Sequence, residues 1–212
     1  MSPELKVVTE FQVGQFTPVI PDASRLDWVK TVSDWTVGAA NKGLMLPKSQ
    51  EQILDLFSKG HSLVMVGRDD KIVSHAAATF FYLDKSIIEV GAVYTEESKR
   101  EKGLGAKTVG ALLGHLNELY PDAKTIFALA NQKATPLFKD LGGTEMETNE
   151  LHKDVWLACK DCPNKLIVGA DGKHVCCDTP FDLTKVAKRE NKIIFDASIH
   201  GNGGNGANHV NI

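Results

Sequence analysis

The chain has no apolar run approaching the ~20 residues a membrane helix needs, so no membrane partner is expected. Its start, Met1-Ser2-Pro3-Glu4-Leu5-Lys6, lacks the basic stretch and apolar core of a secretory signal, which leads to the expectation of a cytoplasmic protein. Cysteine is scarce. There are four in 212 residues, and in a reducing compartment they are not expected to form lasting disulfides. Excess positive charge is also missing: 24 Lys and Arg stand against 27 Asp and Glu, a formal net charge of -3 that argues against broad nucleic-acid binding. The remaining composition, 42% hydrophobic and 24% charged, is that of an ordinary globule long enough for one well-buried domain plus an appendage, or two small domains.

Periodicity orders the chain. Residues 5 to 13 read as a first strand, and Asp22 to about Trp35 as a helix with Leu26, Val29, Val32 and Trp35 at helical spacing. Ser49 caps a second helix that carries Ile53, Leu54, Leu56 and Phe57 and stops at Gly60. Three meandering strands follow, Ser62 to Val66, Lys71 to Phe81 and Ser86 to Tyr94. A glycine turn then opens a helix with Val109, Leu112, Leu113 and Leu116 on one face, and Pro121 ends it. Thr125 to Leu129 reads as a buried strand, Ala134 to Leu141 as a helix stopped by Gly142-Gly143, and Thr144 to Glu147 as a short strand. The predicted class is α/β in the α+β sense: a mixed, mostly antiparallel sheet flanked by helices.

The turn Arg100-Glu101-Lys102-Gly103-Leu104-Gly105-Ala106 looks like a site for a pyrophosphate, although a Gly-x-Gly turn near lysines often only joins a strand to a helix. Its two glycines let a phosphate approach the backbone, and the following helix points unpaired N–H groups and its dipole at the anion. Lys99, Arg100, Lys102 and Lys107 add positive charge. A dinucleotide fold would place such a turn after its first strand, and no Gly-Lys-Ser/Thr closes it as a P-loop would, so both of those readings fail.

These features resemble the GCN5-related N-acetyltransferases, which carry Arg/Gln-x-x-Gly-x-Gly/Ala after their fourth strand. Arg100, Gly103, Gly105 and Ala106 match that signature, and Gly91-Ala92-Val93-Tyr94-Thr95 before it looks like the Val-Tyr-Thr form of the motif. Asn131, Ala134, Leu137, Leu141 and Gly142 fall where the family has Asn-x-x-Ala-x-x-Leu-Tyr-x-x-x-Gly. The match spans residues 5 to about 150, giving an expected acetyltransferase domain over 1–150. It implies acetyl-CoA as cosubstrate, with backbone near Val93 to Thr95 holding the pantetheine arm and thioester carbonyl. Arg100, Lys102, Gly103, Leu104, Gly105 and Ala106 would hold the pyrophosphate, and Asn131 and the helix bearing Phe138 would face the lower part of CoA.

Glu89 is the candidate general base. It lies in Ile87-Ile88-Glu89-Val90-Gly91-Ala92-Val93, where alternation puts it on the face of Gly91 and Val93. Apolar neighbours would destabilise its anion and raise its pKa toward the range useful for taking a proton. A solvated charge near a strand end is the competing role, and Glu96 and Glu97 read as surface charges. For the proton on the departing thiolate, Phe138 stands where many relatives have tyrosine and has none to give. Tyr94 and Tyr82 are the other candidates, and both also fit simple packing on the sheet.

Leu44-Met45-Leu46-Pro47-Lys48-Ser49-Gln50-Glu51 resembles a Leu-Leu-Pro-Arg-Ser-x-Glu stretch of N-acetylglutamate-synthase-like acetyltransferases, with Lys48 in the arginine's place as a contact for an acidic acceptor. A loop with a Ser49/Gln52 capping box explains most of the same residues. Beyond residue 150, an expected extension over 151–200 carries Cys159, Cys162, Cys176 and Cys177, a candidate structural zinc set with His174 as an alternate ligand. Four reduced thiols are the other reading. Residues 181 to 199 contain a predicted helix and a strand-like Ile193-Ile194-Phe195, and 201–212 read as a flexible Gly/Asn-rich tail, with a tag or linker origin open.

The expectation is an acyl-CoA-dependent N-acetyltransferase that acetylates a primary amine of a small metabolite or amino acid, as a monomer or homodimer. Two alternatives stay open: an amine on a protein, peptide or nucleic acid, and a catalytically inactive acyl-CoA-binding or partner-binding module, which Phe138 would suit.

Overall fold

The computed structural model describes residues 16–100, 103–157, 162, 177 and 179–190. The expected strand over 5–13, the strand-like 193–195 and the tail 201–212 lie outside them. The described chain runs through β1 (Thr17–Val19), α1 (Leu26–Ala40), α2 (Gln50–Ser58), β2 (Ser62–Val66), β3 (Ile72–Tyr82) and β4 (Ile87–Thr95). It continues through α3 (Leu104–Leu119), β5 (Thr125–Ala130), α4 (Thr135–Asp140), β6 (Thr144–Glu145), α5 (Lys153–Leu157), β7 (Thr179–Asp182) and α6, a helix over 184–190. Among the described residues seven strands form one sheet in the order β1-β2-β3-β4-β5-β7-β6. Every neighbouring pair is antiparallel except β4 with β5, which is parallel.

Helices cover both faces because the strands alternate apolar side chains to each. Leu63, Ala76, Ala78, Ile88, Val90, Ile126 and Ala128 pack with Val109, Leu112, Leu113 and Leu116 of α3, and with Val186 and Ala187 of α6. Val64, Val66, Ile72 and Ala77 point the other way, against Trp28, Val29 and Val32 of α1 and Ile53, Leu56 and Phe57 of α2. Phe127 leaves β5 on its own side, against Leu151 and Val155 at α5.

β1 and α5 were not expected from the sequence, and two further differences bear on the core. α1 begins and ends later than the predicted Asp22 to Trp35, running on to Ala40. Its buried stripe continues as Ser33 and Thr36, hydroxyl residues that interrupt the apolar pattern yet are satisfied by the Lys48 backbone: Ser33 donates to the Lys48 carbonyl at 2.9 Å and Thr36 accepts from its N–H at 3.0 Å. The second is β7, a four-residue strand unmarked in the sequence. It lies between β5 and β6 and buries Phe181 completely in the α3 cluster.

Candidate active site

The site forms where β4 leaves β5. The two strands pair at Ile87 with Thr125, Ile88 with Ile126 and Glu89 with Phe127, and no further. Beyond that point β5 pairs with β7 as far as Ala130, while β4 runs on to Thr95 with β3 as its partner. The fork exposes one edge of β4.

A bulge reshapes the exposed stretch. Ala77 pairs with Gly91 but His75 pairs with Tyr94, so β4 carries one more residue than β3 between those pairs, and Ala92 takes the left-handed φ of 49°. The extra residue corrects the alternation expected from sequence. Val93 joins Ile88 and Val90 in the α3 cluster, on the face opposite Glu89, whereas Ala92 packs on the α1/α2 side.

Glu89 sits at the crotch of the fork. A cavity of about 230 Å³ opens there, lined by Leu44, Lys48, Phe80, Glu89 and Ala92 on one side and by Val93, Asn131, Ala134 and Phe138 on the other. The Tyr82 hydroxyl donates to Glu89 Oε2 at 3.1 Å. Burial pushes the Glu89 carboxyl up to about 7, against the opposing pull of the Tyr82 hydrogen bond and the Lys48 charge. Lys48 is lowered in turn by its own burial, partly offset by Glu89, and its ammonium stands 5.5 Å from the Phe80 ring centre.

At the far end of β4 the chain turns into α3. Arg100 Nε donates to the Thr95 carbonyl at 3.1 Å, and its guanidinium lies 5.4 Å from the centre of the Tyr94 ring. Gly103 caps the helix with φ 68°, a left-handed value that glycine takes without strain. Gly105 is needed for a different reason. A Cβ there would lie 2.9 Å from Leu137 Cδ1 and 3.3 Å from Thr95 Oγ1, so the bare glycine lets the first turn of α3 close on both. That turn holds no acidic residue, and its leading N–H groups have no partner within the helix. Glu101 and Lys102 lie outside the described residues.

Residues 65–152 match the model of the FR47-like protein family. An uncharacterized N-acetyltransferase of Chlorobaculum tepidum is 26% identical over 147 residues, covering 68% of this chain and 86% of that protein. Among solved structures, N-acetylglutamate synthase from Neisseria gonorrhoeae, complexed with coenzyme A and N-acetyl-glutamate, superposes with a TM-score of 0.54 at 14% identity. It covers 69% of this chain, which spans only 33% of the synthase. A Mycobacterium tuberculosis protein in complex with CoA gives a TM-score of 0.51 at 20% identity over 68% of this chain and 82% of its own. These likenesses support the resemblance to the GCN5-related N-acetyltransferases seen in the sequence.

As in the superfamily pattern, Asn131 follows β5, but its amide is engaged inside the protein. Its Oδ1 accepts from the Lys133 and Ala134 N–H groups at 3.0 Å, and its Nδ2 donates to the Leu44 carbonyl at 2.9 Å, tying the loop before α2 to the start of α4. Phe138 is buried and stacks on Phe181 with ring centres 5.8 Å apart. The bulge brings Tyr94 to Glu89's face, yet its ring stacks on Trp35 at 5.0 Å, with Arg100 beside it. Leu104 is a buried anchor among Phe16, Met65 and Val73, and Ala106, partly buried, packs on the α3 cluster. Glu97 pairs with Lys42 at 2.9 Å and Ser98 donates to Glu96 at 3.0 Å, as surface charges do. The Ser49/Gln52 capping box is formed.

Cys162 and Cys177 line the cavity. Cys159, His174 and Cys176 lie outside the described residues, and among the described residues no three His, Cys, Asp or Glu gather closely enough to hold a metal. Nor is any helix there long and apolar enough to cross a membrane.

Sequence reasoning passed over a set of buried polar residues behind the site. Thr108 Oγ1 lies 2.7 Å from the Leu104 carbonyl and 2.8 Å from Ser74 Oγ, which in turn lies 3.0 Å from both the Tyr94 carbonyl and Thr95 Oγ1. This relay fastens the end of β4 to the first turn of α3. Ser62 and His75 support the bulge. In the sequence they stand as isolated polar residues in apolar strands, with no motif to mark them.

Proposed function

We propose that the protein transfers an acetyl group from acetyl-CoA directly to the primary amine of a small metabolite or amino acid. The observation that carries this reading is the Glu89 carboxylate at the fork, raised to about 7 by burial and facing the cavity between the splayed strands. In the reaction, the new C–N bond forms at the thioester carbonyl as the C–S bond breaks, and the proton that the nitrogen then sheds is taken up by the departed thiolate, directly or through water, giving an amide and free CoA. Attack needs a neutral amine, and Glu89 takes the ammonium proton, directly or through a water, near neutral pH. Tyr82 holds that carboxylate in one orientation. The open edge of β4 around Val93 to Thr95 supplies backbone donors for the thioester oxygen, while the turn from Arg100 to Ala106 receives the pyrophosphate. With Phe138 unable to give a proton and Tyr94 packed between Trp35 and Arg100, the thiolate leaves without a dedicated tyrosine acid.

Lys48 supports an amino-acid-like acceptor. Its backbone is fixed to α1 by Ser33 and Thr36, and its ammonium lines the cavity together with Glu89, so a carboxylate on the acceptor meets a cation while the amine faces the base. The synthase complexed with N-acetyl-glutamate agrees in kind. A panel of amines, read by release of free CoA from acetyl-CoA, tests the proposal. Turnover of one or more small amines or amino acids is expected; tight CoA binding with no turnover of any amine would reduce the chain to a binding module.

A further inference from the structure

We propose that His75 is a positioning residue that locks the β4 bulge and so aims the Val93 N–H at the acyl group, a role that rests on the transfer reading above. His75 is completely buried in β3. Its Nδ1 lies 2.9 Å from the Ala92 carbonyl and its Nε2 lies 3.2 Å from Ser62 Oγ. A carbonyl only accepts, so Nδ1 carries the proton and Nε2 accepts from the Ser62 hydroxyl. Burial keeps the ring neutral, with its pKa down at about 4, so this tautomer persists at neutral pH.

The bulge needs such a partner. Ala92 adopts a φ of 49° that residues with a Cβ seldom take, and its carbonyl is turned out of the ladder toward the imidazole. In a trans peptide the N–H points opposite to the carbonyl. The Val93 N–H therefore points away from β3, on the side where β4 has already parted from β5. Both Ala92 and Val93 line the cavity. Rotation of this one peptide would withdraw the N–H from the cavity, and the His75 hydrogen bond resists that rotation.

Two variants separate positioning from packing. His75→Asn places an amide N–H where Nδ1 stood, whereas His75→Gln carries its amide one carbon farther out, beyond the Ala92 carbonyl. The readouts are kcat and KM for acetyl-CoA with the best amine, and the Kd of CoA, which has no acyl carbonyl. The Gln variant is expected to lose about tenfold or more in kcat with KM and CoA affinity within about twofold of wild type, and the Asn variant to recover most of that loss. A packing role alone would move CoA affinity and stability instead, with Asn no better than Gln. A folded His75→Gln protein with wild-type kcat would overturn the inference. If both variants fail to fold, Ser62→Ala, which keeps the ring but removes the donor to Nε2, is expected to lower kcat about threefold; an unchanged kcat would overturn it equally. Wild-type protein that turns over no amine would remove the transfer reading together with this inference, whereas wild-type turnover unaffected by these variants would remove the inference alone.

Discussion

Glu89 and Phe127 form the last parallel pair between β4 and β5, and that pair fixes where the carboxylate stands. One residue earlier Glu89 would lie between two paired strands, and farther along it would lie on the open edge. At the crotch it is buried enough to be raised and still faces the cavity.

The Tyr82 hydroxyl stabilises the charged form of Glu89, so it holds the carboxyl lower than burial alone would. Tyr82→Phe is expected to move the ascending limb of the pH profile of kcat/KM to higher pH, with a smaller effect at the alkaline plateau. A profile that shifts downward or stays in place would separate the tyrosine from the base.

The same burial opposes folding. Glu89 titrates near 7 in the fold and at about 4.5 unfolded, so between those values the folded chain keeps a proton that the unfolded chain releases. Stability from this group is complete below about 4.5, falls as pH rises, and is lost above about 7. Glu89→Gln is therefore expected to match wild type at pH 4 and to exceed it at pH 8 by up to about 3 kcal/mol, read by denaturant unfolding.

Gly105 and Gly103 should respond differently to alanine. Gly105→Ala meets Leu137 and Thr95, and is expected to push α3 off the end of β4 and weaken CoA binding about tenfold, with Leu137→Ala restoring part of the loss in a double-mutant cycle. Gly103 has open space around the added methyl but a left-handed φ, so Gly103→Ala is expected to cost about 1 kcal/mol of stability. Calorimetric CoA titration and thermal unfolding check the pair.

Phe181, fully buried and stacked on Phe138, makes β7 part of the main core. Phe181→Ala is expected to destabilise the fold by about 3–5 kcal/mol. A near-neutral result would mean that β7 adds little to the sheet.

β7 also illustrates what the sequence hides. Thr179-Pro180-Phe181-Asp182 is too short to show a period, and its proline argues against a central strand. By contrast β2 was legible to the residue at Ser62–Val66, because a continuous apolar run between a glycine stop and a polar turn admits few alternatives. The glycine turn was legible because its chemistry is local. The bulge was not, since register belongs to a pair of strands and no residue of β4 alone announces it. For that reason plain alternation puts Val93 on the face of Glu89, where the bulge puts Tyr94 instead, and nothing in the sequence marks His75. Glu89 stood out as a charge in an apolar run, but its partner Tyr82 became visible only once β3 had folded back on β4.

The most direct test is the pH dependence of kcat/KM for acetyl transfer, measured for wild type and Glu89→Gln with the same amine. The account predicts a wild-type profile that rises through an apparent pKa near 7, and a variant at least about 100-fold slower whose profile lacks that limb. A Glu89→Gln enzyme with wild-type rates and the same ascending limb would contradict it.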